Sequence, residues 1–511
     1  MTQTVDFFRA RLDAMIDLRH PLAVLATRLP WSQLAAELAP IWRRNVREGI
    51  LPHGEDLLGS GGGVLAAVGV SYAGRSRLPI RLMCSLIYLK HAFNLSDEET
   101  CERWAENVVW QYFSGVDYYE PRPPCDATQI GRFRTAIGEA GMQAILKATI
   151  DTAVVSRAIK STEFERIIVD STVQEKAIAY PVDSRLLEIA RHKIVMYAKR
   201  CGIALRQSFA KEGKALKRKA GGYAHAKQFK RLQRTVKRQR TIVGKLIREV
   251  RSRLSMGAFN LGTAPSTLAA LSTLLARAER IRTQQLKDKN KLYALHAPEV
   301  ECISKGKARN RYEFGVKVSL AVTHKQGLMV GAKRFVGNPY DGHTLAAQIS
   351  QCNDLIQAAG SEVKQAFVDL GYRGVDADGP RPATNPGVEV VHRGRIKSMC
   401  ERQKRQLKRR QAIEPAIGHV KHDSPRLPRN RMIRCYLKGS IGDALHAMSC
   451  AAGYNIRWLM RAIMRLGLRG LLAFAFLAAR LTQMRRSSSA KMRTANVTRS
   501  ASAIRTSYAL I

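Results

Sequence analysis

Two apolar runs rich in β-branched residues, Arg166-Ile167-Ile168-Val169 and Val363 to Val368, each close on an aspartate, Asp170 and Asp369. Both read as buried strands with an acid at the C-terminal end. What lies between them constrains the fold most, because one sheet can use both strands only if it tolerates a large insertion of another character. Between 185 and 291 there are 28 Lys and Arg against 5 Asp and Glu, a net +23 and about half of the chain's +44. Leu186, Leu187, Ala190 and Ile194 follow helical spacing, as do Leu268, Leu271, Leu274, Leu275, Ala278 and Ile281 after a start at Thr263 and Pro265. Solvated helical faces usually mix signs to form pairs three or four residues apart. This block hardly does, so it reads as a surface turned toward phosphates.

The charge imbalance argues against an ordinary small-molecule enzyme and makes nucleic acid the first partner to consider. With 45 % hydrophobic residues the chain can still bury a core, which excludes a wholly disordered basic tail. Its 511 residues suggest three domains, or two with a large insertion. The nine cysteines include no CxxC pair and no Cys/His cluster at zinc spacing, so they read as reduced, mostly buried thiols. The start has no signal-like apolar segment, and the longest charge-free apolar run, near Leu471 to Ala479, is too short to span a bilayer. A cytoplasmic protein without membrane contact is expected.

Residues 1–150 read as helical. Pro79 can open a helix through Ile80, Met83, Leu86 and Ile87, and Ser96-Asp97-Glu98-Glu99 is a capping box for a helix with Cys101, Trp104 and Val108 on one face. Asp126 or Thr128 caps a third, bearing Ile130, Phe133 and Ile137. Three short helices fit either a helix-turn-helix type of DNA-binding unit or a plain bundle. Trp104, Trp110, Tyr112 and Phe113 read as its core rather than as base-stacking rings. After Pro298 come a hairpin (312–322 and 328–336 around Gly327), a turn with Asp341 and His343, a helix over 344–358, the strand ending at Asp369, a further strand over 388–391, and a basic helical stretch over 399–422 carrying Glu414. Asp341 and His343 are expected to fix the turn, although a place near the metal site is open to them. Asp376 and Asp378 read as solvated, and His419 and His422 as polar partners on their helix. One sheet could gather Asp170, Asp369 and Glu414 at one end, and three carboxylates without His or Cys suit a hard cation, Mg²⁺ or Mn²⁺. Two such ions serve in-line phosphoryl displacement.

Val368-Asp369-Leu370-Gly371-Tyr372-Arg373-Gly374 and Ile413-Glu414-Pro415-Ala416-Ile417-Gly418-His419-Val420-Lys421 resemble the second and third acidic motifs of bacterial insertion-sequence DDE transposases of the IS-five-like group. The similarity extends in order through 81–115, Val169-Asp170-Ser171-Thr172, 303–308, 312–317, 337–343 and 442–455. It implies an RNase H-like catalytic domain in which Asp170, Asp369 and Glu414 hold two Mg²⁺ (or Mn²⁺) ions. Related transposases carry Tyr-x2-Arg-x3-Glu-x6-Lys around the third acid. Arg410, Glu414 and Lys421 keep that spacing, while Leu407 occupies the tyrosine position. At about 100° per residue Lys421 lies about −20° from Glu414 on an ideal helix, and Pro415 implies a kink or a new helix start there.

The expectation is therefore an α/β protein. An N-terminal helical region (1–150) holds terminal inverted repeats, and an RNase H-like mixed sheet (160–184 and 298–425) is interrupted by a basic helical insertion (185–297). C-terminal helices (426–482) and an aperiodic tail (483–511) follow. Arg410, Lys421, Lys305, Lys307, Lys317 and Arg373 are the candidate DNA-binding residues. The partners are double-stranded DNA, at element ends and target, and a second copy of the chain or more, since two ends must be cut in concert. The rival readings are a metal-dependent nuclease of the same fold and a non-catalytic DNA-binding remnant.

Overall fold

The computed structural model describes residues 10–42, 47–48, 70–71, 77–304, 311–372, 387–421 and 432–467. Its centre is a mixed sheet of six strands: β1 (Arg166–Glu175), β2 (Glu301–Ser304), β3 (Tyr312–Thr323), β4 (Met329–Phe335), β5 (Gln365–Phe367) and β6 (Glu389–Val391). One edge of β3 pairs antiparallel with β1, and its other edge is shared by β2 and β4. β5 pairs parallel to β1 and β6 parallel to β5. The order β4-β3-β1-β5-β6 thus joins an antiparallel meander to a parallel half. β1 and β3 can lie this close at their far end because position 315 is glycine: a Cβ there would sit 2.0 Å from the Gln174 carbonyl oxygen.

After a single helical turn at Leu12–Met15, the described helices of the N-terminal region are α1 (Pro21–Arg28), α2 (Trp31–Leu38), α3 (Ile80–Phe93), α4 (Asp97–Glu106), α5 (Val108–Phe113) and α6 (Ala127–Val155). The capping box forms as expected: Glu99 N–H donates to Ser96 Oγ at 3.0 Å, and Ser96 N–H to the Glu99 carboxylate at 2.9 Å. The helix expected to be short after Asp126 runs for 29 residues and absorbs a break at Gly138 (φ 59°, ψ −158°), a conformation that suits a residue without Cβ. Trp104, Trp110 and Phe113 are buried, as a core assignment requires. That core is not private to the region. Leu25, Leu86, Phe133 and Ile145 belong to one continuous apolar cluster with Ile168, Leu320, Phe367 and Leu459, so the N-terminal helices and the sheet share an interior.

The insertion is built otherwise. Helices α7 (Asp183–Arg200), α8 (Ala210–His225), α9 (Phe229–Ser255) and α10 (Pro265–Thr283) close around a second core of Leu187, Ile194, Ile242, Leu246, Leu271 and Leu275. α9 shows why: Ile242, Val243, Leu246, Ile247 and Val250 bury one stripe, and Arg231, Arg234, Lys237, Lys245, Arg248 and Arg251 stand exposed around the rest.

After β4 come α11 (Gly342–Ile356), then α12 (Glu401–Lys408), a 3-10 turn over Arg409–Ala412, and α13 (Ile413–Lys421). The basic stretch is thus two helices, with Pro415 in the first turn of the second, where a missing N–H costs nothing. A last helix, α14, covers 439–467. The Asn455 amide Nδ2 donates to the Met329 carbonyl (2.8 Å) and Thr149 Oγ1 (2.9 Å), and its Oδ1 accepts from Met329 N–H (2.9 Å), which fastens α14 to β4 and α6. Near the start of α14 the buried Asp443 meets Lys176, just past β1, at 2.6 Å, and Lys176 also reaches Glu299 at 2.9 Å. Two features depart from expectation. The short strand Glu301–Ser304 was not foreseen, and β1 continues five residues past Asp170 because Thr172 and Val173 extend the ladder with β3, so Asp170 sits in mid-strand. The tail after 467 lies outside the described residues.

Candidate active site

The pairing of β1 with β5 sets Arg166 opposite Gln365, Ile167 opposite Ala366 and Ile168 opposite Phe367. Carried two residues further, the same offset of 199 brings Asp369 level with Asp170. Parallel neighbours are about 4.8 Å apart, so acids remote in sequence become near neighbours. β5 ends at Phe367. Val368 still donates its N–H to Val391 (3.0 Å), and the chain then turns through Leu370–Tyr372, leaving Asp369 exposed with Oδ1 accepting from the Leu370 N–H. Asp170 Oδ1 accepts from the Ser171 N–H at 2.8 Å.

A third aspartate approaches the same loop. Asp341, just before α11, accepts from Lys317 Nζ at 3.0 Å, and Lys317 also donates to the Pro339 carbonyl at 2.6 Å. Gly371 lies close beside Asp341: a Cβ at that position would come within 3.2 Å of Asp341 Oδ2. Tyr372, buried beneath, has its hydroxyl pKa pushed far up by burial, and the Asp170 and Asp341 carboxylates add to the shift. Asp341 thus does more than shape the turn after β4, the role expected of it: it links Lys317 of β3 to the loop that carries Asp369. His343 is exposed and packs edge-on against Tyr340.

Glu414 lies in the first turn of α13, whose Ile413, Ala416 and Val420 are buried in the shared core and which packs on β1. Its side chain is exposed. Among the described residues the three carboxylates do not all come within 4.8 Å of one another. They are therefore not gathered about a single point. As an all-oxygen donor set on adjacent elements they fit hard divalent cations in chemical type.

The expected cation positions fare unevenly. Lys317 is buried and bonded internally, so it positions Asp341 instead of facing solvent. Arg410 is also buried and lies on the 3-10 turn before α13 rather than on the helix of Glu414. Leu407, at the usual tyrosine position, packs into the core. Lys421 is half-buried at the end of α13. Lys305, Lys307 and Arg373, like Asp376, Asp378 and His422, lie outside the described residues. The densest exposed positive surface is on the insertion, where Lys211, Lys214, Lys217, Arg218 and Lys219 of α8 add to the outer face of α9. His324 Nε2 donates to the Gln406 carbonyl (2.9 Å) and Arg409 Nε to the His324 carbonyl (2.8 Å), which hold the approach to α13 against the end of β3.

A very basic chain with one aspartate on a central strand, a second just past the end of its parallel neighbour and a third acid on a helix packed on the first strand has the build of a protein that acts on nucleic acid. Residues 64–136 match the family described as Transposase domain (DUF772), a span that includes α3, α4 and α5. The chain is also 38 % identical over 224 residues to the uncharacterised protein ORF8 of the nfe locus of Rhizobium meliloti, a match covering 95 % of that protein and 44 % of this chain. No solved structure matches. The chain belongs to the family of that Rhizobium protein, a transposase family by the domain it carries. Among the described residues no helix is long and apolar enough to cross a membrane.

Proposed function

We propose that the protein is a DDE transposase that holds the terminal inverted repeats of its own element, cleaves DNA beside them and joins the freed 3′ end to a target. The observation that carries this reading is the register of β1 with β5, which carried two residues on brings Asp369, just past the end of β5, level with Asp170, while α13, with Glu414, packs on β1. A mixed sheet followed by a helix bearing the third acid is in keeping with an RNase H-like catalytic domain. Asp170, Asp369 and Glu414 would hold two Mg²⁺ or Mn²⁺ ions, which supply activation of a water or 3′-hydroxyl and stabilisation of the leaving oxygen. The protein's own groups bind and orient. Lys317 holds Asp341 beside Gly371, in the loop that follows Asp369. The exposed cations of α8 and α9 grip phosphates without reading sequence, and two copies of the chain would hold two element ends.

The test uses purified protein with Mg²⁺ or Mn²⁺ and a labelled fragment carrying the element's ends, run beside Asp369→Ala. Nicking at the boundary with a larger joined product, both lost in the variant, is the expected result. Cleavage without joining would replace the reading by a nuclease of the same fold. Retarded but intact DNA with both proteins would leave only a binder.

A further inference from the structure

Away from the carboxylates, three buried side chains of metal-binding type converge. His91 lies in the last turn of α3, and His446 and Cys450 lie one turn apart on α14. Cys450 Sγ is 3.6 Å from His91 Nδ1 and 3.8 Å from His446 Nε2, and the three candidate ligand atoms all lie within 4.8 Å of one another. With Zn–S about 2.3 Å and Zn–N about 2.0–2.1 Å, the S···N edge of a zinc tetrahedron is about 3.6 Å. Both edges are therefore already near the length a bound ion would impose. We propose that His91, His446 and Cys450 form a Zn²⁺ site that ties the transposase-domain helix α3 to α14.

The chemistry selects the ion. Two imidazoles and one thiolate are intermediate-to-soft donors that suit zinc and ill suit Mg²⁺ or Mn²⁺, so this site and the carboxylates would not compete for one metal. His446 and Cys450, at i and i+4, share a face of α14, as a metal pair on one helix must. Binding displaces the Cys450 thiol proton to solvent, and the resulting thiolate offsets one of the ion's two charges. A cavity of about 10 Å³ adjoins two of the three, His91 and Cys450, and is lined also by His419, Val420, Tyr454, Arg457 and Arg461. That is room for about one water, the natural fourth ligand. His419, on the helix that carries Glu414, lines the same cavity. Hydrogen bonds from thiol and imidazole could join the same three groups without metal, and the experiment separates the two cases.

Full-length protein is produced in zinc-supplemented medium, freed of loose metal by gel filtration and assayed for metal by mass spectrometry. Roughly one zinc per chain is expected. It should fall to background in Cys450→Ala and His446→Ala and persist in Asp369→Ala and in His296→Ala, a change at an exposed histidine elsewhere. Wild-type protein without stoichiometric zinc overturns the proposal, as does a folded Cys450→Ala variant that keeps it. Should the variants fail to fold by circular dichroism, wild-type protein loaded with Co²⁺ decides. Tetrahedral ligand-field bands with a thiolate-to-cobalt charge-transfer band support the site, and their absence overturns it.

Discussion

The sheet body and the inserted bundle solve the same problem, burying apolar surface, in opposite ways. The sheet shares its interior with the N-terminal helices, α11, α13 and α14, so the candidate catalytic acids rest on elements drawn from nearly the whole chain. The bundle of α7 to α10 has its own core and carries its exposed cations most densely along α8 and α9. On the proposed reading, the precision catalysis needs would rest where many segments over-determine one position, whereas phosphate binding, which tolerates displacement, would fall to an appended module.

The largest effect should come from the sheet. Asp369→Ala is expected to lower cleavage by about 10³-fold, the scale of losing a group that stabilises transition-state charge, with DNA retention in a gel unchanged. Loss of DNA binding as well would break the division of labour.

Next comes the independence of the two cores. Leu246→Ala empties a fully buried position in the bundle and should cost about 2–5 kcal/mol there. Hydrogen exchange should rise over 183–283 and stay level in β1 and β3. Leu320→Ala should instead loosen the sheet and the N-terminal helices together. Exchange rising everywhere in both variants would merge the two bodies into one cooperative unit.

A smaller effect concerns charge. Replacing Arg231, Arg234, Lys237 and Lys245 by Gln leaves the buried stripe of α9 intact. It should flatten the slope of log affinity against log salt by up to about 3.6, at about 0.9 for each phosphate no longer neutralised. Fluorescence anisotropy over a salt series measures it, and an unchanged slope would move the DNA to another surface.

The smallest is a pH effect on the sheet alone. Burial holds His324 below the usual imidazole range, partly offset by its bond to Gln406, and nearby Arg409 adds to the lowering. A group lowered in the folded state contributes stability that is present above its unfolded pKa, about 6.5, and is lost as pH falls toward the folded value. Denaturation between pH 7 and about 5 should show a slope of at most about 1.4 kcal/mol per pH unit from this residue, and His324→Gln should remove it. An equal slope in the variant would assign the effect elsewhere.

Much of this was legible in the residues. Local rules placed the capping box at Ser96, the first and last helices of the insertion, the hairpin around Gly327 and a break near Pro415, because caps, periodicity and proline act within a few residues. Asp170, Asp369 and Glu414 could be nominated from their positions after apolar runs and from family resemblance. The fate of the cations could not. Lys317 and Arg410 look like any other basic residue in the sequence, yet the fold buries both. The His91, His446 and Cys450 cluster escaped for a related reason: only its second and third members are one helical turn apart, and the first is 355 residues away.

By itself, then, the sequence determined the elements, the cationic character of the insertion and the candidate acids, all set by short-range sterics, periodicity and net charge. Only the tertiary structure decided that Asp369 comes level with Asp170, that Asp341 lies beside the loop after Asp369, which lysines and arginines reach solvent, and that the N-terminal helices share the sheet's core. Those outcomes depend on strand register and on which faces meet, and register is settled by contacts between segments hundreds of residues apart.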